Sequence, residues 1–511
     1  MGSYIGIDLG TTFCAISVLD DTGRPTIVNI PDKKIAPEGN IISSCVLFQK
    51  DKAIIGDQAR RALQLHRKAF GRFKRDMGTS KTYELDGKKV TPFDLSTIVL
   101  SELKKIAEEQ LGEIEKAVIT VPANFANEAR DQTLNAAKKA GFNVDNIIDE
   151  PTAAALCYAF NNQVELHGNY VIYDLGGGTF DVSIIKVNGK NIEVLATSGI
   201  SKLGGDDFDK ELINLVKEKF KKDTGKEPEL DENGSWDLYN LSVAEADKKS
   251  LSTRGKCIAG GDDGIEDEII EIKRTDFEKK ISTLLAQTEM LCESALQEAG
   301  LETSDIEEII LVGGSTRIPA VKSSIERVFK KEPIVGGNVD EMVALGAALY
   351  SAIKSDKKGL NSMQKASLKQ IKIADVANHC FGTIAVSYNE NSKKEELQNV
   401  IIINKNTKLP VKKTEDMQTM HDDQKTLKFS VTQSISPETD PTFVKVIWEG
   451  KMELPPGRPA GQPLKITYSY DENQIMHCVF EDVNSSTINE VDLTTNNDSN
   501  EDSAIDKFLV D

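Results

Sequence analysis

Two short loops rich in glycine and threonine are the residues of this chain best suited to chemistry. The first reads Asp8-Leu9-Gly10-Thr11-Thr12, and the second runs from Asp174 through Gly176-Gly177-Gly178-Thr179 to Asp181. Each follows one apolar run and precedes another, so the pattern predicts a strand, a tight turn and a second strand. Glycines let backbone amides approach phosphate oxygens, threonines add hydroxyl donors, and the leading aspartate can hold a hydrated divalent cation.

The duplication of this loop is more informative than either copy. One such turn alone is typical of an ordinary hairpin, whereas two copies predict a duplicated domain that closes on one nucleotide from both sides. A third loop, Gly313 to Pro319, follows the apolar run Ile309–Val312 and is neither a Walker loop nor a dinucleotide fingerprint. Its glycines would let the backbone lie flat against a base or a ribose.

The elements that must position these loops change character along the chain. Residues 1–354 alternate short apolar strands with helical stretches such as Leu95–Gln110, Glu128–Ala140 and Asp276–Glu298, which predicts an α/β domain. Charge and glycine then mark a boundary, and we expect residues 355–374 to form an interdomain linker. Residues 375–483 read as alternating strands, among them Phe443–Trp448, and predict a β-sandwich. Residues 484–511 are polar and acidic, and we expect a disordered, solvated tail, with docking of Ala504–Val510 elsewhere on the protein as the alternative.

Composition excludes several classes of function. The chain has 511 residues, long enough for two to four domains, and a formal net charge of -19, which argues against a nucleic-acid binder. Its 7 cysteines include no C-x-x-C pair, so neither a disulfide framework nor a zinc site is indicated. We find no signal peptide and no apolar run long enough for a bilayer, so a cytoplasmic protein is expected.

Six motifs in order now point to one family. They are Ile5–Thr12, Val121–Ala123, Glu150–Ala155, Asp174–Asp181, Leu203–Phe208 and Val312–Pro319. The chain resembles the DnaK-type seventy-kilodalton heat-shock chaperones, from its N-terminus to about Val483. The resemblance implies an α/β, actin-like, two-lobed ATPase domain followed by an all-β sandwich that binds peptides. Typical members continue into a helical lid, so the acidic tail makes this chain resemble a short, lid-less, bacterial-type paralogue.

The resemblance also implies an ATP site with named residues. Lys74 matches the catalytic lysine that orients water, and Asp8 and Asp174 would hold Mg²⁺ through water, with K⁺ as a possible further ion. Glu150, Thr179 and Asp181 would complete the catalytic set. The residues implied to bind ATP or ADP are Gly10, Thr11, Thr12, Phe13, Gly177, Gly178, Gly205, Glu245, Lys248, Lys249, Ser252, Gly313, Gly314, Ser315, Arg317 and Asp340.

Coupling and peptide binding are implied in the same way, with departures from the family. Pro122, Arg130 and Asp375 would couple the ATP state to the sandwich. Where this chain has Lys249 the family usually has an arginine that stacks on adenine, so we expect weaker nucleotide retention. Where it has Asn146 the family commonly has an arginine that docks J-domain partners, so generic J-domain docking is not expected. The implied peptide pocket consists of Thr383, Val386, Met417, Met420, Leu427 and Phe429. Because Met420 and Leu427 are larger than usual, we expect a narrower pocket.

Three functions remain open at this point. The first is an ATP-dependent chaperone that binds extended apolar peptides or unfolded proteins, helped by a dedicated J-domain protein and a nucleotide exchange factor. The second is an ATP-gated regulatory or scaffold module with one dedicated protein partner, which the altered linker Ile371–Val376 favours. The third is a small-molecule kinase, which shares the fold, but Lys74 and the sandwich argue against it. No nucleic acid or membrane partner is expected.

Overall fold

The protein is a mixed α/β structure with several sheets, as the sequence predicted. It is represented by a computed structural model that describes residues 2–37, 39–50, 52–63, 68–162, 166–230, 236–262, 264–265, 267–369, 371–389, 393–493, 505 and 508. Nothing within those residues forms a helix both long enough and apolar enough to cross a bilayer.

The first glycine loop lies within a sheet of the order β11-β10-β1-β2-β3, with β4 paired to β2. Strands β1 and β2 are antiparallel, while β10 runs parallel to β1. Around this sheet the chain adds a smaller sheet, β6-β5-β7, the hairpin β8-β9 and the helices α1 to α3. The elements are β1 Ser3–Leu9, β2 Phe13–Leu19, β3 Pro25–Ile27, β4 Ile42–Ser43, β5 Cys45–Gln49, β6 Lys52–Ile55, α1 Asp57–Ala62, β7 Ala69–Gly71, β8 Tyr83–Leu85, β9 Lys88–Val90, α2 Pro92–Leu111, β10 Ile114–Val121, α3 Asn127–Lys139, β11 Asn146–Asp149 and α4 Glu150–Asn161.

The second and third glycine loops lie on a similar sheet of the order β17-β12-β13-β14-β18. Strands β12 and β13 form an antiparallel hairpin, and β17 runs parallel to β12. Because β12 and β17 are parallel, the loops that follow them meet at one edge. The elements are β12 His167–Leu175, β13 Phe180–Asn188, β14 Asn191–Ile200, α5 Gly205–Thr224, α6 Leu241–Thr253, β15 Lys256–Ile258, β16 Glu271–Lys273, α7 Arg274–Lys280, α8 Ser282–Ala299, β17 Ile306–Val312, α9 Pro319–Phe329, α10 Met342–Lys354 and α11 Ser362–Ser367.

Two apolar helices, α4 and α10, lie between the two sheets and join them into one core. Helix α10 packs on β1, β2 and β10 and against α4, which in turn packs on β12 and β13. Small residues allow this closeness: a Cβ at Gly346 would overlap the carbonyl oxygen of Ala153, and one at Gly6 would overlap the amide nitrogen of Ala348. The two lobes therefore share a central contact of backbone against backbone.

The segment expected to be a polar linker is ordered against the ATPase part. Helix α11 places Gln364 in a buried position, where its Nε2 donates to the backbone oxygens of Leu19 and Asp20 at 3.2 and 3.0 Å. Strand β18, Lys372–Ala374, then pairs in parallel with β14 along Asn191–Glu193. The prediction that this segment adds to a sheet edge by backbone pairing is confirmed.

The chain after Asp375 forms two facing four-stranded sheets, β20-β19-β22-β23 and β21-β24-β25-β26. Their core contains Phe381, Tyr468 and Phe480, which are all nearly fully buried. The strands are β19 Cys380–Asn389, β20 Lys394–Ile403, β21 Val411–Gln418, β22 Thr426–Ser434, β23 Lys445–Glu453, β24 Pro463–Tyr470, β25 Met476–Asp482 and β26 Thr487–Asp492.

Two expectations for this region are corrected by the structure. Phe443 was predicted in a strand but lies in a 3-10 turn, because Pro441 starts the turn and the Asp440 carboxylate accepts from Thr442 N at 2.9 Å. The tail predicted from 484 onward is wrong for Thr487–Asp492, which forms β26 and pairs with β25. Ile505 and Phe508 are buried rather than solvated. The rest of the predicted tail, 494–504, 506–507 and 509–511, lies outside the described residues.

The contact between α4 and α10 generates a prediction about stability. Gly346→Ala should destabilise the ATPase part by about 1–3 kcal/mol, because the new methyl group forces the two helices apart. Thermal unfolding should show a lower midpoint. Gly337→Ala is the control, since a Cβ there would lie 3.5 Å from Met342 Cγ in ordinary contact. Equal midpoints for the two variants would contradict the close packing.

Candidate functional site: a phosphate-sized cleft between two glycine loops

The two predicted phosphate loops face each other across the gap between the lobes. A Cβ at Gly177 would overlap Thr12 Oγ1, and a Cβ at Gly178 would lie 2.7 Å from Thr11 Oγ1. Only glycine at these two positions allows the loops to approach this closely. Among the described residues the buried Thr12 hydroxyl has no hydrogen-bond partner, so it is available to a ligand or to water in the cleft.

The third loop completes the floor of the cleft. Gly313 has φ +82°, and a Cβ there would lie 2.5 Å from Leu175 O and 2.8 Å from Asp174 Oδ1. Ser315 Oγ donates to Gly176 O at 2.9 Å, which ties the third loop to the second. All three loops therefore border a cavity of about 90 Å³, whose lining also includes Asp8 and Lys74.

Acidic side chains surround one lysine at the bottom of this cavity. Lys74 lies in a 3-10 turn, Phe73–Asp76, is buried, and pairs with Glu150 at the start of α4. Asp8 ends β1 and accepts from Thr120 Oγ1 at 2.8 Å, whereas Asp181 accepts from Asn124 N at 3.3 Å. The structure thus brings together the six residues predicted to be catalytic: Asp8, Lys74, Glu150, Asp174, Thr179 and Asp181. Their roles remain predictions.

Burial and mutual repulsion raise the pKa of three of these carboxyl groups. Burial first, and then the charge of Glu150, raise the pKa of Asp8 to about 7. The same two causes raise the pKa of Asp174 and of Asp181 well above the ordinary value. Burial opposes the charge of Lys74, but Glu150 and Asp8 outweigh it and raise the lysine pKa. The cluster therefore contains more carboxyl groups than one lysine could balance if all of them were ionised.

A hydrated cation would compensate these carboxyl groups in their charged forms. Asp181 Oδ2 is buried and has no hydrogen-bond partner within the described part of the chain, and burial with the charge of Glu150 raises the pKa of Asp8 to about 7. Within the described ranges, no group of three or more His, Cys, Asp or Glu side chains is placed to hold a metal ion directly. That Asp8 and Asp174 hold Mg²⁺ through water remains a prediction, and oxygen ligands of this kind are those that Mg²⁺ prefers.

A larger cavity of about 560 Å³ opens beside the phosphate site. Glu245, Lys249 and Ser252 from α6 line it on one side, and Arg317 with Asp340 line it on the other. The Glu245 carboxylate accepts from Lys249 Nζ at 2.8 Å and also pairs with Arg60. Burial opposes its charge, but Arg60 and Lys249 lower the pKa of Glu245 to about 2. The remaining predicted residues that line one cavity or both are Gly10, Thr11, Thr12, Phe13, Gly177, Gly205, Lys248, Gly313, Gly314 and Ser315.

Lys248 and Gly178 also have structural roles next to the site. Lys248 Nζ pairs with Asp209 Oδ1 and donates to Gly205 O, both at 2.8 Å, while the residue still lines the larger cavity. Gly178 does not line either cavity and instead lies behind Thr11 and beside Arg75. The site can therefore hold phosphates in the small cavity and a base with its ribose in the large one.

Sequence reasoning missed the arginines that join the two lobes. Arg72 Nε pairs with Asp206 Oδ1 and Arg75 Nη2 with Asp207 Oδ2, both at 2.9 Å, and Arg60 lies 5.0 Å above the Phe13 ring. Arg72 and Arg75 flank Lys74, and two acidic residues begin α5. A basic cluster in one lobe and an acidic helix start in the other could have predicted ion pairs between the lobes.

The predicted coupling residues lie along one route from the catalytic cluster to the sandwich. Pro122 O accepts from Phe125 N at 3.1 Å, in the turn whose Asn124 contacts Asp181. Helix α3 follows, and its buried Arg130 pairs with Asp149 Oδ1 at 2.7 Å. Asp149 also accepts from Asn378 and Gln474 of the second domain, at 2.7 and 3.2 Å.

Asp375 closes this polar network from the linker side. Gln474 Nε2 donates to Asp375 Oδ2 at 3.3 Å as well as to Asp149, and Thr152 Oγ1 donates to the same oxygen at 3.5 Å. Burial and the charge of Asp149 raise the pKa of Asp375 to about 7. Asn146, the predicted site of altered partner docking, is buried and bonds Asn473 of the sandwich.

The predicted peptide residues border a cavity of about 800 Å³ in the sandwich. Val386 and Met420 are 41% and 44% exposed, so the cavity is open to solvent, while Phe429 lies at its base in the sandwich core. Met417 on β21 and Leu427 on β22 also line it, as does Thr383. The expectation of a narrower pocket remains a prediction.

Comparison with known protein families agrees with this geometry. A family model described as Hsp70 protein matches residues 4–85 and 74–511 of the chain. The match covers the three glycine loops, the lysine turn, the linker and the sandwich.

The raised pKa of Asp8 generates a prediction about cation binding. At pH 7, binding of ATP with Mg²⁺ should release protons, because a cation lowers a carboxyl pKa that burial has raised to about 7. Affinity should then fall as the pH is lowered from 8 to 6, since the protonated form of Asp8 opposes the cation. Calorimetry in two buffers with different ionisation enthalpies would measure the released protons.

Two variants make this measurement specific. Asp8→Asn should release fewer protons than the wild type, whereas Asp20→Asn should not change the number, because Asp20 lies outside both cavities and its pKa is lowered. A binding enthalpy that is independent of the buffer would contradict the assignment.

Proposed function

Because the chain belongs to the Hsp70 family, whose members are ATP-dependent chaperones with ATPase activity, we propose that ATP binding and hydrolysis switch the peptide affinity of the sandwich. The observation that carries this proposal is the continuous route from Asp181 through Asn124 and Arg130 to Asp149 and Asp375. Each step of that route is a hydrogen bond, an ion pair or one element of chain. A change at the phosphate site can therefore reach the linker and the sandwich.

Hydrolysis is assigned to the residues of the small cavity. Bound Mg²⁺ would neutralise phosphate charge and help to position the reacting groups. Lys74 orients the attacking water and balances the charge that develops, because its ammonium is buried and fixed by Glu150. The amides and hydroxyls of the two loops, including those of Thr11 and Thr179, hold the β- and γ-phosphates.

Peptide binding is assigned to the cavity in the sandwich. An extended peptide would lie across Val386 and Met420, with one apolar side chain inserted between Met417 and Leu427. The flexible methionines let the pocket adapt to different side chains. Unfolded proteins are the substrate class, and co-chaperones act near the linker. Asn146, on β11 at the contact with the sandwich, favours a dedicated J-domain protein over a generic one.

The interface between the domains supports a second candidate function. The buried Asn146 bonds Asn473, and a set of ion pairs joins the sandwich to the ATPase part, among them Lys405 with Glu298 and Lys408 with Glu193. A tightly joined pair of domains also suits an ATP-gated module with one dedicated partner. The two functions differ in whether ATP changes peptide release.

The catalytic assignment predicts the behaviour of Lys74→Ala. The variant should still bind ATP but should hydrolyse it about a hundredfold more slowly or worse, because it loses the charge that stabilises the transition state. Single-turnover hydrolysis recorded together with release of a fluorescent peptide tests both parts of the proposal. Lys81→Ala is the control, since Lys81 is exposed and pairs with Asp76 at 2.9 Å.

The outcomes of that experiment separate the two functions. ATP should speed peptide release in both the wild type and Lys74→Ala, because binding precedes hydrolysis. If ATP turns over while peptide release ignores the nucleotide, the chaperone cycle is wrong and the dedicated-partner module replaces it. If Lys74→Ala hydrolyses ATP normally, the catalytic assignment fails.

The pocket assignment predicts a change of specificity. Leu427→Val should broaden binding toward bulkier side chains, because it removes one methylene from the wall between Met417 and Phe429. A peptide array would show the change, and Leu238→Val, at an exposed site in the ATPase part, should leave the pattern as it was. An unchanged array for Leu427→Val would count against the pocket.

A further inference from the structure

We propose that the C-terminal segment is an intramolecular tether that holds the sandwich against the ATPase part, with Ile505 and Phe508 as its anchor. This inference goes beyond the proposed function, because it concerns how the two domains stay together rather than what the nucleotide or the peptide does. It would hold equally for the chaperone and for the module with one partner.

The anchor is a pair of apolar side chains buried in the first lobe. Ile505 is fully buried and Phe508 is 8% exposed, and both belong to the hydrophobic core of that lobe rather than to the sandwich. The Phe508 ring lies 4.8 Å from the Phe48 ring on β5 at an interplanar angle of 63°, an edge-to-face contact. Phe508 N donates to Ile505 O at 2.7 Å, so one turn presents both side chains together.

The anchor extends an aromatic series already present in the lobe. Phe48 contacts Phe70 on β7 with ring centroids 5.9 Å apart, and Phe70 contacts Tyr83 on β8 at 5.5 Å. The Tyr83 hydroxyl donates to Asp76 Oδ2 at 3.1 Å, in the turn that carries Lys74. The anchor therefore binds a rigid, well-packed surface rather than a loop.

The sandwich ends at a second fixed point. Leu493 is buried in the sandwich core, its amide donates to Met476 O at 2.8 Å, and its carbonyl accepts from Asn127 Nδ2 of α3 at 3.3 Å. The chain between the two fixed points, 494–504, can span at most about 40 Å when fully extended. Residues 494–503 read TTNNDSNEDS and contain no apolar side chain.

These features attach the sandwich to the ATPase part at both of its ends. At the start, β18 pairs with β14, and at the finish a polar connector leads to an apolar anchor on the other lobe. A second attachment of this kind raises the effective concentration of the sandwich at its docking surface. Loss of the anchor should therefore weaken docking even though neither docked surface is altered.

Hydrogen exchange measured by mass spectrometry on the full chain, without nucleotide and with saturating Mg-ATP, tests the tether. The fragment that contains β18 reports docking of the linker and sandwich, and the fragment that contains β5 reports seating of the anchor. In the double variant Ile505→Ala/Phe508→Ala, exchange should be faster in both fragments, by roughly tenfold or more for β18. Ile488→Ala, which shortens an exposed apolar side chain on β26, should change neither.

A longer connector separates tethering from simple stabilisation of the first lobe. Inserting about eleven Gly and Ser residues after Asn497 doubles the connector and should leave β5 exchange unchanged. Exchange of β18 should rise about threefold, because each doubling of a loop costs about 0.6 kcal/mol. The peptide and ATPase assays are not needed for this result, so its failure is independent of a failure of the proposed function.

Each contrary result overturns the tether. If the double variant changes hydrogen exchange only in the β5 fragment, or if the longer connector leaves exchange of the β18 fragment unchanged, the anchor stabilises only the first lobe. If neither fragment responds to the double variant, or if β18 is unprotected in both nucleotide conditions, the anchored and docked arrangement is not populated. If the protection of β5 depends on protein concentration, the anchor binds a second copy of the chain.

Discussion

The buried ion pair between Lys74 and Glu150 is the interaction on which the ATP site depends. Taking one ammonium and several carboxylates out of water is costly, and it is tolerated only where the charges are paired or a ligand completes them. Lys74 comes from a turn of the first lobe, Glu150 from the central helix α4, and Asp174 and Asp181 from the second lobe. The lobes must therefore come together before the cluster exists, and a bound cation would offset the carboxylate charge that the single lysine leaves unbalanced.

The same reasoning explains the ring of ion pairs at the mouth of the cleft. Exposed ion pairs contribute little to stability. The pairs in this ring, Arg72 with Asp206 and Arg75 with Asp207, are largely shielded from water and join opposite lobes. Their geometry is satisfied only when the cleft is closed. In the proposed function, closure would link recognition at the large cavity, where Arg60 pairs with Glu245, to the hydrolysis assigned to Lys74.

The sequence predicted the parts of this arrangement that are encoded locally. A glycine-threonine turn between two apolar runs is a local pattern, and the alternation of strands and helices is periodic, so the loops and the mixed α/β architecture were predictable. The pairing of Arg72 with Asp206 was not, because it is created when two distant segments close on each other. The burial of Ile505 and Phe508 was not predicted for a similar reason. The sequence around them is acidic, which favours exposure to solvent, and the ring that Phe508 contacts, Phe48 on β5, is distant in sequence. Phe443 was misjudged because a proline and a capping aspartate outweighed the apolar run beside them.

The interface between the domains is built to separate as well as to hold. Its contacts are mainly polar, including ion pairs such as Lys445 with Glu128 and a network in which Asp149 accepts from two sandwich residues. When the domains separate, such polar groups can bond water instead, with little loss of free energy. Separating an apolar interface would cost about 25 cal/mol of free energy for each Å² of apolar surface that becomes exposed. The linker adds one short edge strand, in which Lys372 and Ala374 bury less apolar area than larger side chains would. An interface of this kind needs covalent proximity to stay formed, and this is why the positions of both ends of the sandwich matter to how readily it undocks.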